Sequence, residues 1–429
     1  MRTSNLLLSA CTLLMAACAN NNTPSVQIKT RACAADTATH YTVYVSDNAA
    51  ANSRPVMIFL DPHCQGEVPV TMYAGKAADY GYILMGSNDM HNGQSAMETQ
   101  RTISNLISEA VSQYAADTNR IYLCGFSGGA KIAMMYGLEN NTVSGVVACG
   151  GSVNPTVRPD STFCFVGMVG NRDFNYLDMQ QTLSVLSQMR IPFTSVVFDG
   201  KHEWPSADNF DYAFKALQIN AMHFGKTEPD IDWLKSVYSA LGDSVNKYMA
   251  GADYIRAAEM LGRIEGWFGS INDDIRLSAF ANNLADNMMY INQLKKMQDL
   301  AMKEVTLRSQ FIGSVGSRDL DWWKTEVENF RKSMASKDEL VSTTSHRLQA
   351  YLSMMSFALA NNDIINNQPD KALKKIKIYE MVDPENPDVQ LMYARYYLMI
   401  GDREQMAAAV GKAIAIQSDA CSHYSSDPT

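Results

Sequence analysis

Beyond its first residues this 429-residue chain has no apolar run long enough to cross a membrane as a helix. It also lacks Lys/Arg runs: 36 basic side chains face 45 acidic ones, a formal net charge of −9. That balance argues against a nucleic-acid partner. The eight cysteines and seven histidines never form a C-x-x-C or a clustered Cys/His spacing. No zinc site is therefore indicated, and no cofactor is expected. Charged residues make up only 19% of the chain against 46% hydrophobic, which excludes a disordered polyampholyte. The length suggests two or three domains, each able to bury a core.

What is present begins with a targeting segment. Arg2 supplies a positive start, and residues 6–17 are apolar but too short to span a bilayer. The run ends in Leu14-Met15-Ala16-Ala17-Cys18, followed by a polar, Asn-rich stretch. Small residues before a cysteine resemble a bacterial lipobox, which implies Cys18 as a lipidated first residue. Leu8-Ser9-Ala10-Cys11 fits the same pattern with a much shorter apolar run, and an ordinary cleaved signal peptide is the other reading. Cleavage after residue 17 removes Arg2 and takes the net charge from −9 to −10. An exported protein permits disulfides, but the pairing of Cys33, Cys64, Cys124, Cys149, Cys164 and Cys421 cannot be read from their spacing.

From residue 39 to 224, short apolar runs alternate with helical patterns. The strands fall at 39–45, 55–60, 82–86, 120–124, 145–149, 163–169 and 193–198. Runs such as Val56-Met57-Ile58-Phe59-Leu60 are apolar at every position, as in strands buried on both faces. The helices fall at 73–80, 98–115, 130–138, 177–189 and 208–224. Strand and helix in alternation predict a parallel sheet with helices on both faces, an α/β fold. In such sheets, chemistry sits beyond the carboxyl ends of the strands. After Lys226 the strand-like runs stop and helical periodicity continues. Within 369–416, Ala372, Ile376, Tyr379 and Pro384, then Pro387, Tyr393, Ala394, Tyr397, Met406, Val410 and Ala413, fit about two tetratricopeptide-like units. An irregular helical bundle is the alternative.

The stretch around which the chain is organised is Leu123-Cys124-Gly125-Phe126-Ser127-Gly128-Gly129-Ala130. A strand precedes it and a helix follows. Strand, glycine-flanked serine and helix form the layout of a nucleophile elbow. Glycines remove side-chain clashes in a turn this tight, and the helix start leaves the Gly128 N–H for a developing oxyanion. Two further strand ends carry Gly170-Asn171-Arg172-Asp173 and Gly200-Lys201-His202-Glu203-Trp204-Pro205. Ser127 needs a base, His202, and His202 needs an orienting acid. Asp173 is the first choice for that acid, with Asp178 and Asp199 as rivals.

Taken together these motifs resemble the α/β-hydrolase family over about residues 36–224. They are most similar to compact serine esterases of the polyhydroxybutyrate-depolymerase and feruloyl-esterase type, with Ser, Asp and His in that family's order. The resemblance implies a second oxyanion donor in Asp61-Pro62-His63-Cys64-Gln65-Gly66, where Cys64 stands in the usual place of glycine. Either Cys64 or Gln65 would supply that N–H. His63 and Trp204 would line the substrate site, or His63 would brace its loop. Residues 88–92 could form one rim. The short 150–160 connection leaves no room for a cap domain.

The expected organisation is a signal peptide (1–17), a tether (18–35), an α/β-hydrolase domain (36–225) and a helical, tetratricopeptide-like domain (226–429). The expected function is hydrolysis of a carboxylic ester, such as an acyl or feruloyl group on a polysaccharide, in the bacterial cell envelope. Two alternatives are a serine peptidase of the same fold and a lipoprotein whose C-terminal helices recruit a protein partner. Because every catalytic candidate precedes Lys226, the chemistry is expected not to need the helices. Lipidation is checked by palmitate labelling. Cys18→Ser should abolish the label and release the protein from the membrane fraction. Label that persists in Cys18→Ser and vanishes in Cys11→Ser would move the processing site.

Overall fold

The computed structural model describes residues 28–46, 53–159, 162–269 and 274–417. Cys11, Cys18, Cys421 and the signal-peptide segment lie outside them. In chain order the first half comprises β1 (Ile28–Ala32), β2 (His40–Val45), β3 (Arg54–Leu60), α1 (Glu67–Tyr80), β4 (Ile83–Ser87), α2 (Ala96–Tyr114), β5 (Ala116–Phe126), α3 (Gly128–Glu139), β6 (Gly145–Cys149), β7 (Cys164–Gly170), α4 (Tyr176–Gln188), β8 (Phe193–Phe198) and α5 (Ala207–His223). The strands form one eight-stranded sheet in the order β1-β2-β4-β3-β5-β6-β7-β8. From β4 onward every pairing is parallel, while β2 is antiparallel to both of its neighbours.

The continuous apolar runs are explained by burial on both faces. In β3, Val56, Ile58 and Leu60 join the core under α2, α3 and α4. Met57 and Phe59 point the other way, into the core under α1 and α5. Tyr73 of α1 stacks on Phe210 of α5 at 3.8 Å between ring centroids and closes that second layer. Helix α2 opens on a capping box: Ser95 accepts from the Glu98 N–H, and the Glu98 carboxylate takes the Ser95 N–H.

Two boundaries differ most from expectation. Residues 28–32, read as tether, form the edge strand β1, because Ile28 to Ala32 pair in register with Tyr44 to His40. Helix α1 begins at Glu67, six residues before the sequence periodicity becomes clear.

The second half is all helical: α6 (Ile231–Ala250), α7 (Tyr254–Phe268), α8 (Ile275–Asp286), α9 (Met288–Ser317), α10 (Leu320–Met334), α11 (Glu339–Ile365), α12 (Pro369–Val382), α13 (Pro387–Met399) and α14 (Arg403–Ile416). None of the described helices is long and apolar enough to cross a membrane. Side chains of Asp230, Asp253, Asp274, Asn287, Asp319, Asp338, Asn386 and Asp402 cap their helices by accepting first-turn N–H groups. Pro369 and Pro387 sit in the first turns of α12 and α13, where a missing N–H costs nothing. The helices pack directly on the sheet domain. Trp233 meets Tyr80 edge-on at 6.2 Å, and the Trp267 indole N–H donates to Thr194 Oγ1 at 2.8 Å.

The five described cysteines are free thiols. Burial pushes Cys33 and Cys164 up to about 12, with nearby Glu109, Asp36 and Asp89 adding to the shift at Cys33. Burial also raises Cys124, and Cys149 beside it adds to the effect. Alkylation requires the thiolate. At neutral pH the native protein should therefore leave Cys33, Cys124 and Cys164 unmodified by iodoacetamide, while the urea-unfolded chain reacts fully. Peptide mass spectrometry reads the difference. Prompt native labelling of Cys164 would show that β7 is not held in the buried core.

Candidate active site

The turn between β5 and α3 places Ser127 at φ 50°, ψ −114°, a left-handed conformation rare for a residue with a Cβ. The turn closes only because its neighbours lack side chains. A Cβ on Gly129 would stand 1.9 Å from the Leu60 carbonyl oxygen of β3, and one on Gly125 would stand 2.2 Å from the Gly129 oxygen. The Ser127 N–H is tied down by the Cys149 carbonyl of β6 at 2.9 Å. Gly128 opens α3, where an N–H has no carbonyl a turn earlier to accept it.

The loops after β7 and β8 meet the serine. His202 Nε2 lies 3.0 Å from Ser127 Oγ. His202 Nδ1 lies 3.0 Å and 2.9 Å from the two carboxylate oxygens of Asp173. Asp173 is fully buried and accepts the Asn175 N–H at 2.8 Å. With Nδ1–H donating to Asp173, Nε2 is the nitrogen left to accept the serine proton. The imidazole lies between aromatic rings, with centroids 4.7 Å from Phe126 and 4.3 Å from Phe174. Asp178 is exposed in the first turn of α4. Asp199 is exposed and paired with Arg172 at 3.1 Å. Of the three carboxylates considered, Asp173 is the one hydrogen-bonded to His202.

The second oxyanion donor is not where Cys64 was expected to provide it. Cys64 takes φ 60° and its N–H donates to the Met90 carbonyl at 2.9 Å, so that N–H is already committed to the neighbouring loop. That bond and the one from the Asn92 N–H to the Pro62 carbonyl at 3.0 Å together pair His63 with His91 as a short antiparallel bridge, and this pairing of the two loops uses the Cys64 N–H. Of the pair weighed from the sequence, Gln65 remains. His63 is largely exposed, and its N–H turns back onto Asp61 Oδ1 at 2.9 Å. The Trp204 indole N–H donates to Asp61 Oδ2 at 3.0 Å, and its ring packs on Phe126 at 5.3 Å and Phe59 at 6.0 Å. Trp204 thus joins the His202 loop to the Asp61 loop. In the 88–92 rim, Asn92 comes nearest the elbow: a Cβ on Gly128 would stand 2.1 Å from its carboxamide oxygen. Sequence reasoning missed Asn175, whose carboxamide donates to the Gly150 carbonyl at 2.6 Å and fixes the acid loop to the end of β6. A lone Asn after a strand carries no spacing signal. Residues 150–159 form no helix.

Residues 36–166 match the family model described as phospholipase/carboxylesterase. That segment holds Ser127 and ends before Asp173 and His202. Among solved structures, the chain is similar to S-formylglutathione hydrolase from Staphylococcus aureus, with 13% identity over 46% of this chain and 96% of that one, TM-score 0.36. It is similar to an esterase from the archaeon Pyrobaculum calidifontis, with 12% identity, 46% and 84% covered, TM-score 0.36. It is similar to a ferulic acid esterase, with 15% identity, 46% and 96% covered, TM-score 0.36. No curated protein matches. The sheet, the elbow and the match over residues 36–166 give the first half the fold of an α/β-hydrolase domain, similar over that segment to phospholipases and carboxylesterases.

Trp204→Phe tests the brace between the two loops. It keeps the ring packing and strips a donor from the buried Asp61 carboxylate, a loss of about 1.5–3 kcal/mol. The denaturant midpoint should fall accordingly. An unchanged midpoint would show that water replaces the indole N–H without loss.

Proposed function

We propose that Ser127, His202 and Asp173 are nucleophile, general base and orienting acid of a carboxylic ester hydrolase working through an acyl-enzyme. The single observation behind this reading is the unbroken hydrogen-bond chain from Asp173 through His202 to Ser127. Ser127 Oγ attacks the ester carbonyl while His202 Nε2 takes its proton. Asp173 holds Nδ1–H and stabilises the imidazolium. The carbonyl oxygen gains its negative charge against the Gly128 N–H at the α3 N-terminus, with the Gln65 N–H as second donor. His202 returns the proton to the leaving alcohol, then activates the water that releases the acid.

Acyl or feruloyl esters on a polysaccharide are the proposed substrates, and His63, Trp204 and Asn92 are the proposed walls of the acyl site. Anchoring through a lipidated Cys18 and a location in the bacterial cell envelope rest on the sequence of the first residues. A tetratricopeptide-like role for α11 to α14 rests on the repeat spacing and on the packing of α11 with α12 and of α13 with α14.

The test is labelling by a fluorophosphonate, followed by kinetics on matched ester and amide panels. Ser127→Ala should lose the label and lower kcat by about 10⁴- to 10⁶-fold, and Asp173→Asn should lower kcat by about 10⁴-fold. The wild-type rate should fall on acidification, because protonated His202 cannot accept the serine proton. Ester turnover by Ser127→Ala at the wild-type rate would end the assignment. Amides cleaved faster than the matched esters would move the reading to a peptidase.

A further inference from the structure

The loop that carries Asp173 is bonded from two sides. On its inner side the Asn171 and Arg172 N–H groups donate to the carbonyls of Phe198 and Gly200, at 2.8 and 3.0 Å. Its outer carbonyls face the helical half. Arg308 of α9 donates from Nη2 to the Phe174 carbonyl at 2.8 Å. Arg347 of α11 donates from Nη1 to the Asn171 carbonyl at 2.8 Å. These two carbonyls lie one residue after Asp173 and two residues before it.

The guanidinium groups are themselves held. Glu304 of α9, with no solvent exposure, bonds Arg308 Nη2 through Oε1 at 2.5 Å and Arg347 Nε through Oε2 at 3.0 Å. Arg347 also donates to Thr344 Oγ1 at 3.0 Å and lies over the Tyr176 ring at 4.5 Å, while Arg308 lies over Tyr351 at 4.4 Å. Both arginine side chains are at most a tenth exposed. Such a triad costs desolvation and is weak evidence for net stability. A planar guanidinium, however, offers several donors in fixed directions, so one group can grip Glu304 and a backbone carbonyl together.

We infer that Arg308, Arg347 and Glu304 are positioning residues for the hydrolytic reaction: the helical half sets the acid loop, and with it the Asp173–His202 pair. The inference rests on the triad reading of the site. It departs from the expectation that chemistry is indifferent to everything after Lys226. Phe174 belongs to the same loop: its carbonyl is held by Arg308, and its ring packs on the His202 imidazole that Asp173 orients. A displacement of about 1 Å at a reacting group is enough to cost on the order of 10²-fold.

The experiment is a kinetic double-mutant cycle in the full-length chain on a small soluble ester. Arg347→Gln should lower kcat by about 10- to 100-fold and change KM by less than about twofold. Because the arginine acts through Asp173, Asp173→Asn/Arg347→Gln should be no more than about threefold slower than Asp173→Asn alone. If Arg347→Gln does not fold, Glu304→Leu/Arg308→Met/Arg347→Met replaces the buried charges by apolar groups and keeps the packing. With helical content unchanged by circular dichroism, this variant should show the same kcat loss and the same absence of a further loss on Asp173→Asn. A wild-type kcat in either folded variant, or losses that multiply with Asp173→Asn, would overturn the positioning role. A silent Asp173→Asn would instead overturn the triad assignment on which the role rests.

Discussion

The sheet domain depends on one close approach, that of the α3 N-terminus to β3. Gly129 lies against the Leu60 carbonyl with no space for a methyl group. This contact forces the chain to turn within one residue, and Ser127 takes the left-handed conformation as a result. Such a conformation costs of order 1–3 kcal/mol. The cost is small beside the burial on either side of it. Ile121 to Phe126 of β5 are all buried, and one Leu or Phe side chain removed from water contributes about 1.5–3 kcal/mol. The bond from the Ser127 N–H to Cys149 then fixes the turn to β6. Strain at the serine is therefore held by the core of the sheet and needs nothing from the loops.

The histidine and the acid are held differently. They stand on loops, and loops obtain their geometry from hydrogen bonds. Trp204 ties the His202 loop to Asp61, and Asn175 ties the acid loop to Gly150. The remaining ties come from the helical half. Arg263 of α7, Arg308 of α9 and Arg347 of α11 each donate to a backbone carbonyl between Asn171 and Ser195. Three arginines from three helices thus end on the same part of the sheet domain. An interface that only covered apolar surface would not need such a set, since Trp233, Trp267 and the α6–α7 core already do that. Buried arginines aimed at carbonyls fix geometry.

Much of this was legible in the sequence, for physical reasons. Strands buried on both faces write themselves as unbroken apolar runs, so β3, β6 and β7 can be read directly. The elbow is legible because only glycine fits around Ser127. Asp173 and His202 are legible because each follows an apolar strand. The helix starts after Lys226 are not picked out, although an Asp or Asn side chain caps every one of these helices but α12. What could not be read depends on contacts distant in sequence. Edge strand β1 has no continuous apolar run, being largely exposed, and exists through its pairing with β2. The Cys64 N–H is set by Met90, on another loop. Arg308 and Arg347 meet their carbonyls across 134 and 176 residues, and an arginine within a helix looks like any solvated charge until it is placed.

The position of these contacts divides the site into two sides. In the sheet order Ser127 stands at the end of β5, with β3 and β4 to one side and β6, β7 and β8 to the other. The helices reach the β7–β8 side, through Asn171, Phe174, Thr194 and Ser195. That side carries Asp173 and His202. The β3–β4 side carries the His63–His91 bridge and Asn92, whose carboxamide lies over Gly128. His63 and Asn92 on that side are exposed. On the proposed reading, substrate selection would fall to the side whose side chains reach solvent, and the arginine-held side would position Asp173 and His202 for proton transfer, where a small displacement is costly. A changed residue at His63 or Asn92 would then alter which acyl group fits and leave the histidine and its acid in place.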